Sequence, residues 1–270
     1  MMQELLVLWI ALLAYVLAGT LAIGAAVLGK RPDRSVLVLI LAGLALHTVS
    51  LALRWGRVGH GPFLTLFEIL ASNIWSLLLV FAIAYWRIKA VRPIAAVVMP
   101  ILFLMMGWLL MTNPGEGHLP PTYHTIWLYI HVGFGKIFLG AVLVAVGLAG
   151  VIILRWGELE PRSFARLPDS ARLEELAYRF LALGLVFETL MLLSGAIWAQ
   201  DAWGRYWAWD PLETWALLTW LLLAFALHVR FTLKPSPAFG ATMVLAVFAL
   251  AFLTFFGVPF ISTAAHQGAV

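Results

Sequence analysis

The residues with the clearest potential for chemistry lie in one stretch, WGRYWAWDPLETW, at positions 203–215, here called the Trp-rich segment. It holds four tryptophans, an aspartate and a glutamate, and long apolar segments flank it on both sides. Indole rings settle at a membrane–water boundary, but four in so short a stretch exceed what anchors a helix end. The cluster predicts a flat apolar platform at the membrane surface, suited to a large planar ligand.

Histidines on distant segments could bring an imidazole to the same surface, notably His131 and His266. Imidazole is a common axial ligand of haem iron, so the combination predicts a haem held by histidines against aromatic rings. A lone histidine at an interface more often makes only a hydrogen bond, and that alternative stays open for both. The chain has no cysteine, so we expect any iron ligand from it to be a histidine nitrogen rather than a methionine sulfur.

The polar residues of the Trp-rich segment also have a structural interpretation. Asp210 is an acceptor at a helix N-cap, Pro211 is suited to the first helical position, and Glu213 completes a capping-box pattern. This role does not exclude a ligand role for Asp210. Arg205 is a cation that could pair with a haem propionate. For Arg54 and Arg57, also predicted on this face, snorkelling to the interface is the favoured explanation.

Composition sets the class of protein. Hydrophobic residues make up 63% of the 270 residues and charged residues 11%. A soluble domain of this length could not cover so much apolar surface, so the chain is predicted to be an all-α integral membrane protein. Basic residues lie in short loops without a basic, aromatic-rich patch, so lipid rather than nucleic acid is the expected partner. Residues 1–270 are predicted to form a single polytopic membrane domain.

Eight apolar runs are long enough to cross a bilayer as helices. The predicted spans are 5–28, 35–53, 66–86, 94–112, 125–154, 180–199, 214–230 and 239–258, and the polar stretch 155–179 is predicted to be a loop or a short amphipathic helix. Of 17 basic residues, all but Arg54, Arg57, Lys136 and Arg205 fall on one side. The positive-inside rule therefore puts both termini on the outer face, together with the Trp-rich segment, His131 and His266.

Two more histidines are predicted to lie within the membrane, His228 in the seventh span and His47 in the second. A histidine in a span is a functional candidate by default, although a hydrogen bond between helices is the simpler explanation. By residue count His47 lies nearer the outer half and His228 nearer the inner half. If so, a second ligand beside His228 would come from a partner.

The Trp-rich segment resembles the WWD signature of haem-handling membrane proteins. Its flanking motifs narrow the resemblance to the CcsA (ResC) family of System II cytochrome c biogenesis, from about Leu46 to His266. The matching residues are Trp203-Gly204, Trp207, Trp209-Asp210-Pro211 and Glu213, with Gly195-Ala196-Ile197-Trp198-Ala199, Leu227-His228-Val229-Arg230 and Gly61-Pro62…Leu66-Phe67-Glu68 around them. Thr65 and Phe67 depart from the family's pattern.

The resemblance implies transport of haem b across the membrane, its presentation on the outer face and its attachment to an apocytochrome c. His131 and His266 would ligate the outer iron, with Trp203, Trp207, Trp209, Asp210 and Arg205 around the macrocycle in a loop at about residues 200–213. His228 and His47 would serve an internal haem site.

The implied partners are a CcsB (ResB) membrane subunit and an apocytochrome c with a CxxCH motif, at the bacterial inner membrane with a periplasmic active face. The resemblance also implies a subunit of a holocytochrome c synthase, or haem lyase, with no catalytic side chain assigned in this chain. Three alternatives remain. Two come from the same superfamily: a haem carrier without lyase activity, similar to CcmC, and a regulatory membrane protein similar to HemX. The third is a transporter for a solute other than haem.

Overall fold

The computed structural model describes residues 2–159 and 161–261, and the regular elements there are helical. The helices are α1 (Met2–Val27), α2 (Asp33–Val58), α3 (Leu66–Arg87), α4 (Ala95–Leu110), α5 (Ile126–Trp156), α6 (Ser170–Trp203), α7 (Pro211–Thr232), α8 (Pro237–Phe252) and α9 (Val258–Ile261). Short 3-10 helices span Lys89–Ile94, Pro121–Tyr123 and Arg162–Arg166, and a π-helical turn at Leu253–Gly257 joins α8 to α9.

The predicted fold class is confirmed, since eight helical segments of the described chain are long and apolar enough to cross a membrane. The interpretation of 155–179 was wrong in part, because α6 begins at Ser170 rather than at residue 180. Asp169 caps this start by accepting a hydrogen bond from the Arg172 backbone N–H at 2.8 Å. Glu175 then pairs with Arg172 and Arg179 on the same helix face, and such pairs stabilise the polar first part of α6 as a helix.

Helix α5 is the centre of the bundle. It is the most buried of the eight spans and packs most extensively against α6, with further contacts to α3, α4 and α8. Gly140 permits the close approach to α3, because a Cβ at this position would lie 2.6 Å from the Cβ of Val80. The hairpin of α1 and α2 packs at the periphery, against α4 and α3.

Successive spans run in alternating directions, so the bundle has two distinct ends. One end gathers the starts of α3, α5 and α7 with the ends of α6 and α8 around the Trp-rich segment. It is called here the tryptophan end. At the opposite end the start of α6 meets the end of α7, where Glu174 Oε2 lies 3.2 Å from a guanidinium nitrogen of Arg230. Both termini being on the outer side stays a prediction.

A buried ionic cluster joins three helices at the tryptophan end. Arg54 is 2% exposed, and its guanidinium donates to Glu68 Oε1 at 2.8 Å and to Glu4 Oε1 at 3.3 Å. It also donates to the carbonyl oxygens of Pro114 and Gly115 in the loop after α4. The snorkelling explanation of Arg54 was therefore wrong, because the carboxylates of α1 and α3 hold this cation inside the protein.

Arg57 belongs to the same cluster at its solvent side. It donates to both carboxylate oxygens of Glu4, at 2.9 and 2.6 Å, and it also pairs with Glu116. The cluster ties α1, α2 and α3 to the loop that leads into α5. These contacts hold the first three helices and this loop in place at the tryptophan end.

Candidate functional site

A cavity of about 250 Å³ opens at the tryptophan end between α3, α5, α6 and α7. Its walls are mainly apolar, with Leu128, Val132, Leu192 and Phe255 among them. The polar side chains that line it are Ser72, Asn73, Tyr123, His131, Lys136, Trp198, Tyr206, Trp207, Glu213 and Thr254. A mainly apolar cavity with a few convergent polar groups is the usual form of a small-molecule site.

His131, on the second turn of α5, is the predicted outer ligand that the structure places in this cavity. Its Nδ1 lies 2.9 Å from the carbonyl oxygen of Met191 on α6. Because a carbonyl only accepts, Nδ1 carries the proton and the lone pair of the neutral ring is on Nε2. A hydrogen bond of this kind is what orients histidines that ligate metals.

The α6 residues around His131 shape its position further. The imidazole stacks on the indole of Trp198, with ring centroids 6.0 Å apart and an interplanar angle of 18°. Gly195, one turn earlier, leaves room for the ring, since a Cβ there would lie 2.7 Å from Nδ1 of His131. Sequence reasoning noted the segment that contains Gly195 only as a family motif and did not foresee this contact.

Trp203 lies behind this wall, in a small apolar cluster rather than among the residues that line the cavity. Its ring packs edge-on against Trp198 (5.0 Å, 73°) and near Tyr123 (5.8 Å). Trp198 Nε1 donates to the Tyr123 carbonyl oxygen at 3.3 Å. Burial raises the pKa of the Tyr123 hydroxyl, so the residue stays a neutral phenol at physiological pH.

Of the three tryptophans predicted to contact haem, Trp203, Trp207 and Trp209, it is Trp207 that lines the cavity. Within residues 2–159 and 161–261 its buried Nε1 has no hydrogen-bond partner. Trp209 is 68% exposed and meets Trp207 edge-to-face, at 5.6 Å and 84°. The expected flat platform was wrong, because the ring quadrupoles favour such perpendicular packing over coplanar indoles.

The predicted helix start within the Trp-rich segment is confirmed. Asp210 is the N-cap of α7 and accepts from the Glu213 backbone N–H at 2.9 Å, and Pro211 follows at the first helical position. The Glu213 carboxylate departs from the capping-box expectation, because it accepts from the Ala208 N–H at 2.7 Å. This bond closes the loop onto the start of α7. Trp209, which lies in the closed loop, has a left-handed φ of 56°.

Lys136 is a cavity residue that sequence reasoning counted only as a topological charge. It lies ten positions into α5, lines the cavity and donates from Nζ to Ser72 Oγ on α3 at 2.9 Å. The available signal was a lysine well inside an apolar helix. Ser72 had no sequence signal, because its proximity to Lys136 depends on the packing of α3 against α5.

The two intramembrane histidines have different surroundings. His47 on α2 is fully buried, with its Nδ1 3.4 Å from the hydroxyl of Tyr15 and no hydrogen-bond partner for Nε2 within the described chain. His228 lies on an exposed face of α7. Among the described helices, α2 and α7 do not pack extensively against each other. The structure therefore does not bring these two imidazoles together.

Two predicted site residues remain, Arg205 and His266. Arg205 is exposed in the loop between α6 and α7 and is not among the residues that line the cavity. His266 lies outside the described residues. The last described helix ends at Ile261, and Pro259 within it lines the cavity.

A family model described as Cytochrome C assembly protein matches residues 63–266, which include the cavity and the Trp-rich segment. Curated proteins that match the chain carry the name Cytochrome c biogenesis protein CcsA. The chain belongs to the CcsA family of cytochrome c assembly proteins. Its role therefore lies in cytochrome c biogenesis, and it is a multi-pass membrane protein.

Algal and plant proteins are among these CcsA relatives. That of Chlamydomonas reinhardtii is 30% identical over 233 residues, covering 82% of this chain and 65% of the relative. That of Guillardia theta is 30% identical over 244 residues, covering 82% and 80%, and that of Carica papaya is 28% identical over 262 residues, covering 82% of each. This CcsA-family chain thus spans just under two thirds of the Chlamydomonas protein's length.

Among solved structures, Cytochrome c Heme Lyase CcmF has a similar fold. The TM-score is 0.74 at 20% identity, and the alignment covers 94% of this chain and 46% of that chain. At this identity the likeness shows the fold alone. It agrees with the eight-helix architecture described above.

Proposed function

We propose that this CcsA-family chain binds haem b as a substrate in the cavity at the tryptophan end and presents it for covalent attachment to an apocytochrome c. The observation that carries the proposal is the placement of His131. Its imidazole lines the cavity, and the Met191 carbonyl fixes the tautomer whose Nε2 can ligate iron. Membership in a cytochrome c assembly family supports the same ligand.

The cavity lining suits part of a porphyrin. Apolar side chains such as Leu128 and Val132 can contact the macrocycle, and Trp207 adds an aromatic face at its wall. A volume of about 250 Å³ lies below the usual range of ligand pockets, roughly 300–1,000 Å³. A porphyrin in this cavity would therefore protrude through the mouth, where Tyr206 is 61% exposed, and an edge would stay accessible.

His266 is the proposed second axial ligand of the same haem. Pro259 lines the cavity and the described chain ends at Ile261. A chain of five residues spans at most about 18 Å, which sets the greatest distance from Ile261 at which this ligand could lie. Trp209 and Arg205, exposed near the mouth, are proposed to contact the protruding part of the haem. Trp203 is proposed to act indirectly, by supporting Trp198 behind His131.

A second, internal site is proposed around His228. Its exposed position on α7 suits a ligand shared with another subunit, so the partner CcsB (ResB) is proposed to supply the second iron ligand there. His47, buried beside Tyr15, is proposed to contribute to haem transfer rather than to ligate beside His228. The membrane is proposed to be the bacterial inner membrane or its equivalent, with the tryptophan end on the outer face.

The chemical step needs little from this chain beyond positioning. Attachment adds each cysteine S–H of the CxxCH motif across a haem vinyl C=C bond, forming a C–S and a C–H bond. Since this chain has no cysteine, both thiols come from the apocytochrome. Holding the porphyrin in one orientation with an accessible edge converts the encounter into a nearly intramolecular reaction.

The test is formation of covalent cytochrome c in cells that co-express this chain, CcsB and an apocytochrome. We expect His131→Ala and His266→Ala to abolish the covalent product, and His118→Ala, an exposed loop histidine, to leave it unchanged. Haem bound to the purified chain without any covalent product would contradict the lyase role and assign a carrier. Normal product from the His131→Ala variant would contradict the proposed site.

A further inference from the structure

We propose that Lys136 and Ser72 form an anion-binding subsite at the floor of the cavity, and that this subsite takes a carboxylate of the bound porphyrin. The inference rests on the proposed function and adds to it the orientation of the substrate. It starts from the cavity-lining ammonium group of Lys136, whose Nζ donates to Ser72 Oγ at 2.9 Å.

The subsite lies deeper than the proposed iron ligand. Lys136 follows His131 by five residues on α5, so it lies about 7.5 Å further along the helix axis from the tryptophan end. Ser72, on the second turn of α3, accepts the hydrogen bond from Lys136, and both Ser72 and Asn73 line the same cavity. Their side chains donate to the Ile69 carbonyl oxygen of the same helix, at 3.4 and 2.8 Å. The ammonium of Lys136 and the hydroxyl of Ser72 therefore meet at the inner end of a mainly apolar cavity.

The charge of Lys136 is not balanced by the protein itself. Within residues 2–159 and 161–261 it forms no ion pair, and its hydrogen bond goes to a neutral hydroxyl. Among the described residues that line the cavity, Glu213 is the carboxylate; it lies at the start of α7 and accepts from the Ala208 N–H. An ammonium inside a membrane-spanning region is unfavourable unless an anion accompanies it. A ligand carboxylate at this position would complete the pair.

The subsite also explains how the reactive edge would be presented. Haem b carries its two propionates on one side of the macrocycle and its vinyl groups away from them. With a propionate at Lys136, the vinyl-bearing side points towards the mouth near Tyr206. An apocytochrome that approaches from the tryptophan end then meets the groups to which its thiols must add.

The test compares ferric haem with its dimethyl ester, in which both carboxylates are neutral. Each is titrated by its Soret absorbance into the full-length chain in detergent. We expect the unsubstituted protein to bind the free acid about tenfold or more tightly than the ester, as for a charge-assisted hydrogen bond. Lys136→Met should remove this preference, whereas Lys136→Arg should retain most of it.

Lys89→Met is the matched control, because it removes an exposed lysine at the opposite end of the bundle. It should leave the preference unchanged. Equal binding of acid and ester by the unsubstituted protein, or an unchanged preference in Lys136→Met, would overturn the subsite while leaving haem binding at His131 intact. Absence of any Soret change that depends on His131 would overturn the proposed function and the subsite together.

Discussion

The imidazole of His131 stacks on the indole of Trp198, with their ring centroids 6.0 Å apart and their planes inclined by 18°. The stack joins α5 to α6, the two helices that pack most extensively in the bundle. The Met191 carbonyl holds the same ring from one side through its hydrogen bond to Nδ1. His131 is therefore positioned by α6 although it belongs to α5.

Gly195→Ala should disturb this arrangement without removing any functional group. The new Cβ would lie 2.7 Å from Nδ1 of His131, so the imidazole must move away from the Met191 carbonyl. We expect haem affinity, measured by Soret titration, to fall about tenfold, as for a modest overpacking penalty. Gly133→Ala is the control, because a Cβ at Gly133 meets nothing within 4 Å. Equal affinities in the two variants would contradict the positioning role of α6.

Asp210 should act mainly as the cap of α7. Asp210→Ala removes the acceptor for the Glu213 N–H, and we expect the free energy of unfolding in detergent to fall by about 0.5–2 kcal/mol. Asp210→Asn keeps a capping oxygen and should retain both stability and haem affinity. An Asn variant that is stable but binds haem weakly would instead show that the carboxylate contacts the ligand.

The backbone of Trp209 should be strained, independently of the role of its exposed ring. Its φ of 56° is left-handed, which glycine adopts readily and alanine does not. We expect Trp209→Gly to be more stable than Trp209→Ala by about 1 kcal/mol in chemical denaturation. Both variants lack the indole and should weaken haem binding to the same extent. Equal stability of the two variants would show that the loop relaxes and stores no strain.

The buried pair of Arg54 and Glu68 should stabilise the fold far more than the exposed pair of Arg57 and Glu116. Glu68→Ala leaves the buried guanidinium of Arg54 without its 2.8 Å partner, and we expect a loss of about 3–5 kcal/mol. Glu116→Ala removes a solvent-exposed partner of Arg57 and should change stability by less than about 1 kcal/mol. Denaturation of both variants in the same detergent measures the difference. Similar losses would mean that burial does not strengthen the inner pair.

The sequence predicted the features that depend on local order along the chain. The eight spans follow from runs of apolar residues, and the start of α7 follows from the Asp210–Pro211 pattern. Features that depend on contacts between distant segments could not be predicted. Arg54 meets Glu68 only because α2 and α3 pack together, and Lys136 enters the cavity only because α5 presents that face to α3.

The histidines illustrate the same limit. Sequence position indicated that His47 and His228 lie within spans, but not which way each faces. The structure buries His47 against Tyr15 and leaves His228 exposed on α7, a difference set by the rotation of each helix about its axis. The orientation of the indoles was equally hidden, since ring packing depends on side chains from α6 and the loop before α5.

Soret titration of the purified chain with ferric haem tests the central claim most directly, with His131→Ala compared against His118→Ala. Loss of the imidazole in the cavity should lower haem affinity and shift the Soret maximum, since the Nε2 ligand is gone. Loss of the exposed loop histidine should change neither. A His131→Ala protein with the affinity and spectrum of the unsubstituted chain would contradict the assignment of this cavity as the haem site.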